Sequence, residues 1–120
     1  MAFSDPQTVT INAIANTLPR TGFGPSDGNF TKDDGNIKLT ISHQFNKRVR
    51  HVARIDQSII ASDPLVTGNN LKLSQSIYLV IDTPVTGLTP AQVKQLGDGF
   101  LTWLTASSGA NLAKVIGGEV

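Results

Sequence analysis

Apolar and polar residues alternate with a period of two over most of positions 7–82, the spacing of strands that bury one face and wet the other. In QTVTINAI (7–14), Val9, Ile11 and Ala13 alternate with Thr8, Thr10 and Asn12, which predicts a strand. Residues 16–20 are expected to return antiparallel after a tight turn, with Pro19 restricting that piece to an edge. The stretch TGFGPSDGNFTKDDGN (21–36) holds four glycines and a proline and reads as a loop, with room for one short strand at Asn29 to Lys32. Cleaner strands follow. IKLTISHQF (37–45) sets Ile37, Leu39 and Ile41 against Lys38, Thr40, Ser42 and Gln44, and a polar turn at Asn46-Lys47 leads into RVRHVARID (48–56). There Val49, His51, Ala53 and Ile55 oppose Arg48, Arg50, Val52 and Arg54. LKLSQSIYLVID (71–82) sets Leu71, Leu73, Ile77, Leu79 and Ile81 against Lys72, Ser74, Ser76, Tyr78 and Val80. Between these two, residues 59–70 begin apolar and end in Asp63-Pro64 and Gly68-Asn69-Asn70, the end of a strand and an exposed loop.

After Pro84 the period changes. Thr89-Pro90-Ala91-Gln92 offers an N-cap threonine, proline at the first helical position and glutamine at the third, a capping box in its glutamine form. From there Val93, Leu96, Phe100, Trp103 and Leu104 recur at spacings of three and four, an apolar helical stripe. Ser107-Ser108-Gly109 ends this helix, and a shorter second one, Ala110 to Ile116, stops at Gly117-Gly118. The predicted fold class is therefore α+β: an antiparallel sheet, made of an N-terminal hairpin plus three longer strands, followed by two C-terminal helices, in one domain spanning 1–120. The stripe reads most simply as core, but helices covering a sheet on one side leave open whose sheet they cover. Gly97 and Gly99 weaken the helix by about 0.8–1 kcal/mol each relative to alanine, so either they tolerate drift or they let another backbone approach.

Composition sharpens that question. The hydrophobic fraction is 39% in 120 residues, below the roughly 45–50% of globular domains counted with glycine, so part of the core is expected from a partner chain. No cysteine occurs, which excludes disulfides, thiolate metal sites and cysteine nucleophiles together. MAFSDPQTVT lacks the basic and apolar regions of a signal peptide, and no apolar run approaches the roughly 18 residues of a membrane span. A soluble chain used as translated, with no membrane partner, is the expectation.

The net charge is only +1, yet Lys38, Lys47, Arg48, Arg50 and Arg54 make up 5 of the 10 Lys and Arg, and no acid occurs from 35 to 55. If 37–45 and 48–56 form a hairpin, Lys38, Arg48, Arg50 and Arg54 share the face opposite Leu39, Ile41, Ala53 and Ile55, and Lys72 joins them if the third strand pairs alongside. With Thr40, Ser42, Gln44, Ser74, Ser76 and Tyr78, that face offers phosphate contacts, hydrogen bonds and a stacking ring. Nucleic-acid binding and a plain solvated sheet face both fit. His43 and His51 fall on the apolar side by parity, where a hydrogen-bonded core or interface histidine is the expectation, and two histidines without nearby carboxylates predict no metal site. The acids are scattered; Asp33-Asp34 fit turn chemistry and lack a calcium-ligand spacing. No catalytic motif, cofactor motif or phosphate loop is present, so no enzyme is predicted.

Lys38-Leu39-Thr40-Ile41-Ser42 resembles a Lys-Val-Thr-Cys-Ser strand of the coat proteins of single-stranded RNA bacteriophages, the levivirus group. There too an Asn-Lys-Arg turn, here Asn46-Lys47-Arg48, leads into a basic strand, and Tyr78-Leu79-Val80-Ile81-Asp82-Thr83-Pro84 is similar to the family's last strand and its exit. The order of elements agrees over nearly the whole chain. The resemblance implies an intertwined homodimer, each chain's helices crossing the partner's strands, that assembles into an icosahedral shell in the bacterial host cytoplasm and resides in the virion. It implies that the inward sheet face binds single-stranded genomic RNA, including an operator-type hairpin. By position, Lys38, Thr40, Ser42 and Gln44, then Arg48, Arg50 and Arg54, then Lys72, Ser74, Ser76 and Tyr78 take the RNA-facing places; the family's base-stacking tyrosine aligns nearer Ser74 than Tyr78. Val93, Leu96, Phe100, Trp103 and Leu104 take the dimer helix, and Asp63, Pro64, Gly68 and Asn69 the loop between dimers. A non-assembling dimeric RNA-binding module using the same face is the alternative.

Overall fold

Two residues with left-handed backbones open the fold. In the computed structural model, which describes residues 3–62, 64, 65, 68 and 70–120, Asn12 and Ala13 have φ of 52° and 63° and form the turn between β1, Gln7–Ile11, and β2, Ile14–Leu18. Ile11 and Ile14 are paired directly across it. The expected strand over 7–14 therefore ends three residues early. Two positive-φ residues give the twist that a two-residue hairpin needs; asparagine tolerates that conformation, whereas alanine disguises it.

In the glycine-rich stretch, the short strand expected at Asn29 to Lys32 is present as β4, Asp27–Thr31, and an unexpected strand, β3, Arg20–Phe23, precedes it. The glycines of this stretch make the turn and lie within the pairing. Gly24 donates its N–H to Asp27 O at 2.9 Å, and a Cβ on Gly24 would collide with the Asp27 carboxylate. β5, Ile37–Phe45, follows a turn in which Asp34 Oδ1 accepts the Asn36 N–H at 2.9 Å. That hydrogen bond first, and the Lys32 ammonium after it, hold the Asp34 carboxyl below the usual carboxylate range. Its support for the turn is thus complete above that range and lost as pH falls through the lowered value.

β6, Arg48–Ser62, and β7, Asn70–Pro84, both outrun the predicted strands. The sheet order is β3-β4-β5-β6-β7, with β1-β2 as a separate pair. β5 pairs antiparallel with β6 without a register break, from Ile37 opposite Gln57 to Phe45 opposite Val49. Contacts of Gln57 with Gln75 and of Arg48 with Asp82 run in opposite directions along β6 and β7, so this pair is antiparallel as well.

Leu18, Phe30 and Ile37 form the buried core, with Val9, Ile11, Leu39, Ile41 and Ile55 packed against it. The hairpin thus lies on the odd-numbered side of β5. Buried Asn16 closes it internally, its Nδ2 donating to the carbonyls of Val9 and Ile14 at 3.2 and 3.1 Å. Arg20 ties down the N-terminal segment, donating Nη2–H to Phe3 O at 2.7 Å with its guanidinium 5.2 Å from the Phe30 ring centroid.

These strands up to Asp82 make one structural unit and residues 83–120 another. In the second, Thr89 Oγ1 accepts the Gln92 N–H at 3.2 Å while Gln92 Oε1 accepts the Thr89 N–H at 3.0 Å, and the expected capping box starts the helix at Pro90. Where two helices were expected there is one helical element, α1, Pro90–Ile116, interrupted by non-helical residues from Ala106 to Gly109. Ser107, Ser108 and Gly109 are all left-handed, and Asn111 Nδ2 bridges the break by donating to Trp103 O at 2.7 Å. Gly117 and Gly118 cap the end, donating to Ala113 O and Val115 O.

No residue of α1 is buried. Leu96, Phe100 and Trp103 are 78%, 48% and 54% exposed, so the stripe closes no core within this second unit. A Cβ added at Gly97 or Gly99 would meet nothing within 4 Å, so no close backbone within this unit explains either glycine. No helix among the described residues is long and apolar enough to cross a membrane.

The turn gives the first prediction. Ala13→Gly removes the left-handed penalty while keeping Asn-Gly turn chemistry, so it should raise stability by up to about 1 kcal/mol, read as a higher denaturant midpoint at unchanged slope.

Candidate nucleic-acid interface

The β5–β6 register decides which side chains meet. Thr40 lies opposite Arg54, Gln44 opposite Arg50, Ser42 opposite Val52 and Lys38 opposite Asp56. Leu39–Ile55, Ile41–Ala53 and His43–His51 are the pairs on the other face. Because side chains alternate strictly along both strands, Lys38, Thr40, Ser42, Gln44, Arg48, Arg50 and Arg54 share one face, as the sequence predicts. From β7 the even-numbered residues join it, fixed by the Arg54 guanidinium 5.7 Å from the Tyr78 ring centroid and by the Arg48–Asp82 contact. Lys72, Ser74 and Ser76 share that parity and are exposed.

β4 adds residues to this face that were not among the expected positions. Asn29 is opposite Thr40, Thr31 opposite Lys38 and Asp27 opposite Ser42. Thr40 Oγ1 donates to Asn29 Oδ1 at 3.2 Å, so its hydroxyl is oriented from within the sheet.

Besides Asp27, two acids stand on this face, each paired with an arginine. Arg48 Nε lies 3.0 Å from Asp82 Oδ1, and Arg54 Nε lies 2.9 Å from Asp56 Oδ1. The run without acids ends at residue 55, one short of Asp56, and Asp82 is distant in sequence. Parity was the available signal for Asp56 and Asp82, since both carry the even numbers of the basic positions. On this face Lys38, Arg50 and Lys72, with Lys47 in the adjoining turn, make no ion pair among the described residues and are left for an external anion. A cavity of about 340 Å³ lies at the β5–β6 turn, lined by Gln44, Asn46, Lys47, Arg48, Arg50 and Asp82.

The remaining predicted positions are on other elements. Phe100 and Trp103 of α1 meet edge to face, with centroids 6.2 Å apart, while Val93 and Leu104 are half-buried. Pro64 and Gly68 are exposed in the connection between β6 and β7, Gly68 with φ of 91°. Asp63 and Asn69 of the same predicted loop lie outside the described residues. No cluster of three or more potential metal ligands is found among the described residues.

No protein-family model matches the chain. No curated protein matches it in sequence. Solved structures do match in fold. The subunit of a virus-like particle of bacteriophage AVE019 superposes with a TM-score of 0.81 at 10% identity, covering 96% of this chain and 95% of that one. The coat protein of bacteriophage EMS014 gives 0.63 at 16% identity, over 91% of this chain and 80% of that one. A virus-like particle of Beihai levi-like virus 21 gives 0.57 at 15%, over 96% and 94%. The fold is thus one found in phage coat proteins and virus-like particles, over nearly the full chain.

The Arg54–Tyr78 contact is testable by itself. In a double-mutant cycle with Arg54→Ala and Tyr78→Ala, unfolding free energies should show a coupling of about 0.5–1 kcal/mol, the range of an exposed cation–π pair. Strict additivity would mean that the two side chains do not interact in solution.

Proposed function

We propose that the chain is a structural capsid subunit that dimerises, assembles into an icosahedral shell and binds genomic RNA, an operator-type hairpin included, on the polar face of its sheet. The observation that carries this reading is the near full-length likeness to the AVE019 particle subunit. The protein is read as non-enzymatic, resident in the virion and assembled in the cytoplasm of a bacterial host.

Several exposed features support dimerisation. β7 is a 15-residue strand at the end of the sheet order, so one of its backbone edges has no neighbour there. Leu71, Leu73 and Ile77 on its odd-numbered side are 43%, 54% and 66% exposed, as is the stripe on α1. An unpaired edge and uncovered apolar rows are what a second copy would satisfy together. Pairing β7 with the partner's β7 would continue the sheet, and the partner's α1 would cover the apolar rows. Such an interface should exceed about 2,000 Å². Gly97 and Gly99 then fit close approach to the partner's backbone. Asp63, Pro64, Gly68 and Asn69, in the loop 62–70, serve as the contact between dimers.

RNA binding is supported by the free cations Lys38, Lys47, Arg50 and Lys72 beside the hydroxyl and amide groups of Thr40, Ser42, Gln44, Ser74 and Ser76. Lys47 and Arg50 line the turn cavity, which suits a phosphate. Particle size separates this reading from an RNA-binding module that stays a dimer.

Trp103→Ala or Phe100→Ala should abolish soluble dimer, at a cost of about 3–5 kcal/mol per site buried by the partner. Sedimentation reads this directly, and a parent protein that is a well-folded monomer at micromolar concentration would overturn the dimer.

For RNA, assembly-blocked dimers neutralising about four to six phosphates should lose log affinity against log salt with a slope of about −3 to −4. Arg50→Ala, present twice per dimer, should reduce the slope by up to about 1.4, while Asp82→Asn should release Arg48 and steepen it by up to about as much. Filter binding across a salt series measures both. A flat response would return the face to ordinary solvation.

A further inference from the structure

On the apolar face, near the turn that joins β5 to β6, His43 and His51 sit directly across from each other with their Nδ1 atoms 2.8 Å apart. The rings are steeply inclined, at 75°, and both residues are half-buried. Two imidazole nitrogens at this distance need something between them, because lone pair facing lone pair is repulsive. A proton on one ring satisfies the contact, and so does a cation that draws both lone pairs to one point. The bite selects the cation. Two metal–nitrogen bonds of about 2.0 Å at a right angle place the nitrogens about 2.8 Å apart, whereas a tetrahedral zinc site separates them by about 3.3 Å. To meet at one ion, each lone pair would swing about 45° off the N–N line, a turn of both rings that the ion itself has to drive.

The surroundings suit a bound ion. The pair is held by the continuous β5–β6 ladder, and His43 N–H also donates to Ser26 O at 2.8 Å, so the backbone is fixed before any ligand arrives. Phe45 flanks both rings, with centroid distances of 6.3 and 6.4 Å, shielding one side. His43 also lines a cavity of about 280 Å³ with Arg20, Phe23, Ser26 and Asp27, which supplies an entry path. No third histidine, cysteine or carboxylate among the described residues joins the pair, leaving the other coordination positions to water.

We propose that His43 and His51 form a two-imidazole site for a divalent copper ion, which clamps the β5–β6 hairpin beside its basic turn. Linear spacing argues against a metal here, since the histidines are eight residues apart with no acid nearby; the pairing register brings them together. Copper is preferred over nickel and zinc by the ordinary order of affinities as well as by the bite.

The test is favourable because the chain has only 2 histidines, so histidine ligation in the untagged protein can come from nowhere else. Titration of the purified protein with Cu2+ should reach one ion per chain, with an electron paramagnetic resonance spectrum showing coupling to two imidazole nitrogens, and should raise Tm. His43→Gln and His51→Gln should each weaken binding about a hundredfold or more, since either removes the intramolecular second ligand. The spectrum of the parent stands even where a variant fails to fold. A parent spectrum without two-imidazole ligation, uptake matched by the double variant, or Zn2+ bound as tightly as Cu2+ would each overturn the proposal.

Discussion

The pairing of β5 with β6 is the constraint on which the other features depend. Its register runs unbroken from Ile37–Gln57 to Phe45–Val49 and sorts every residue of both strands onto one of two faces. A slip of one position would move Lys38, Thr40 and Gln44 into the place of Leu39, Ile41 and Phe45, burying charge and exposing core at once. Such a slip is opposed from both sides. The Asn46-Lys47 turn fixes the length of the connection, and the β1–β2 hairpin packs only against the odd-numbered row. Even the opposition of the two histidines follows from this register.

The same arrangement limits how stable a single chain can be. Among the described residues, the buried apolar side chains are Leu18, Phe30 and Ile37, gathered under the hairpin. The apolar sides of β7 and α1 contribute nothing comparable, since Ile77, Leu96, Phe100 and Trp103 are all about half exposed or more. Burial yields roughly 25 cal/mol per Å², so on the proposed reading the larger share of apolar stabilisation comes from association. On the proposed reading, folding and dimerisation are one transition, and stability depends on concentration. That accounts physically for a hydrophobic content below the globular average.

Legibility in the sequence tracks how local each determinant is. The cores of β5, β6 and β7 were readable because alternation is a property of each strand alone, and the helix start because Thr89, Pro90 and Gln92 lie within four residues. The turn at Asn12-Ala13 was hidden by an alanine, and β3 and the start of β4 by glycines that pair through their backbones, while the rest of β4 was readable around Phe30. On the candidate face, the cations could be assigned by parity. Their partners could not be found by scanning for nearby acids, because Arg48 meets Asp82 across 34 positions.

Those ion pairs change what the face can do. A sheet with every cation free would attract any polyanion by charge alone and discriminate little. Here Arg54 is held by Asp56 and lies against Tyr78, so its guanidinium is oriented beforehand, while Lys38, Arg50 and Lys72 remain as unpaired charge. Exposed ion pairs contribute little to stability, about 0–1 kcal/mol, so the acids are better explained by orientation than by folding. On the proposed reading, the labour divides accordingly. Free lysines and Arg50 supply salt-sensitive attraction, whereas the Arg54–Tyr78 pair and the Thr40 hydroxyl set by Asn29 present groups partly ordered before RNA arrives.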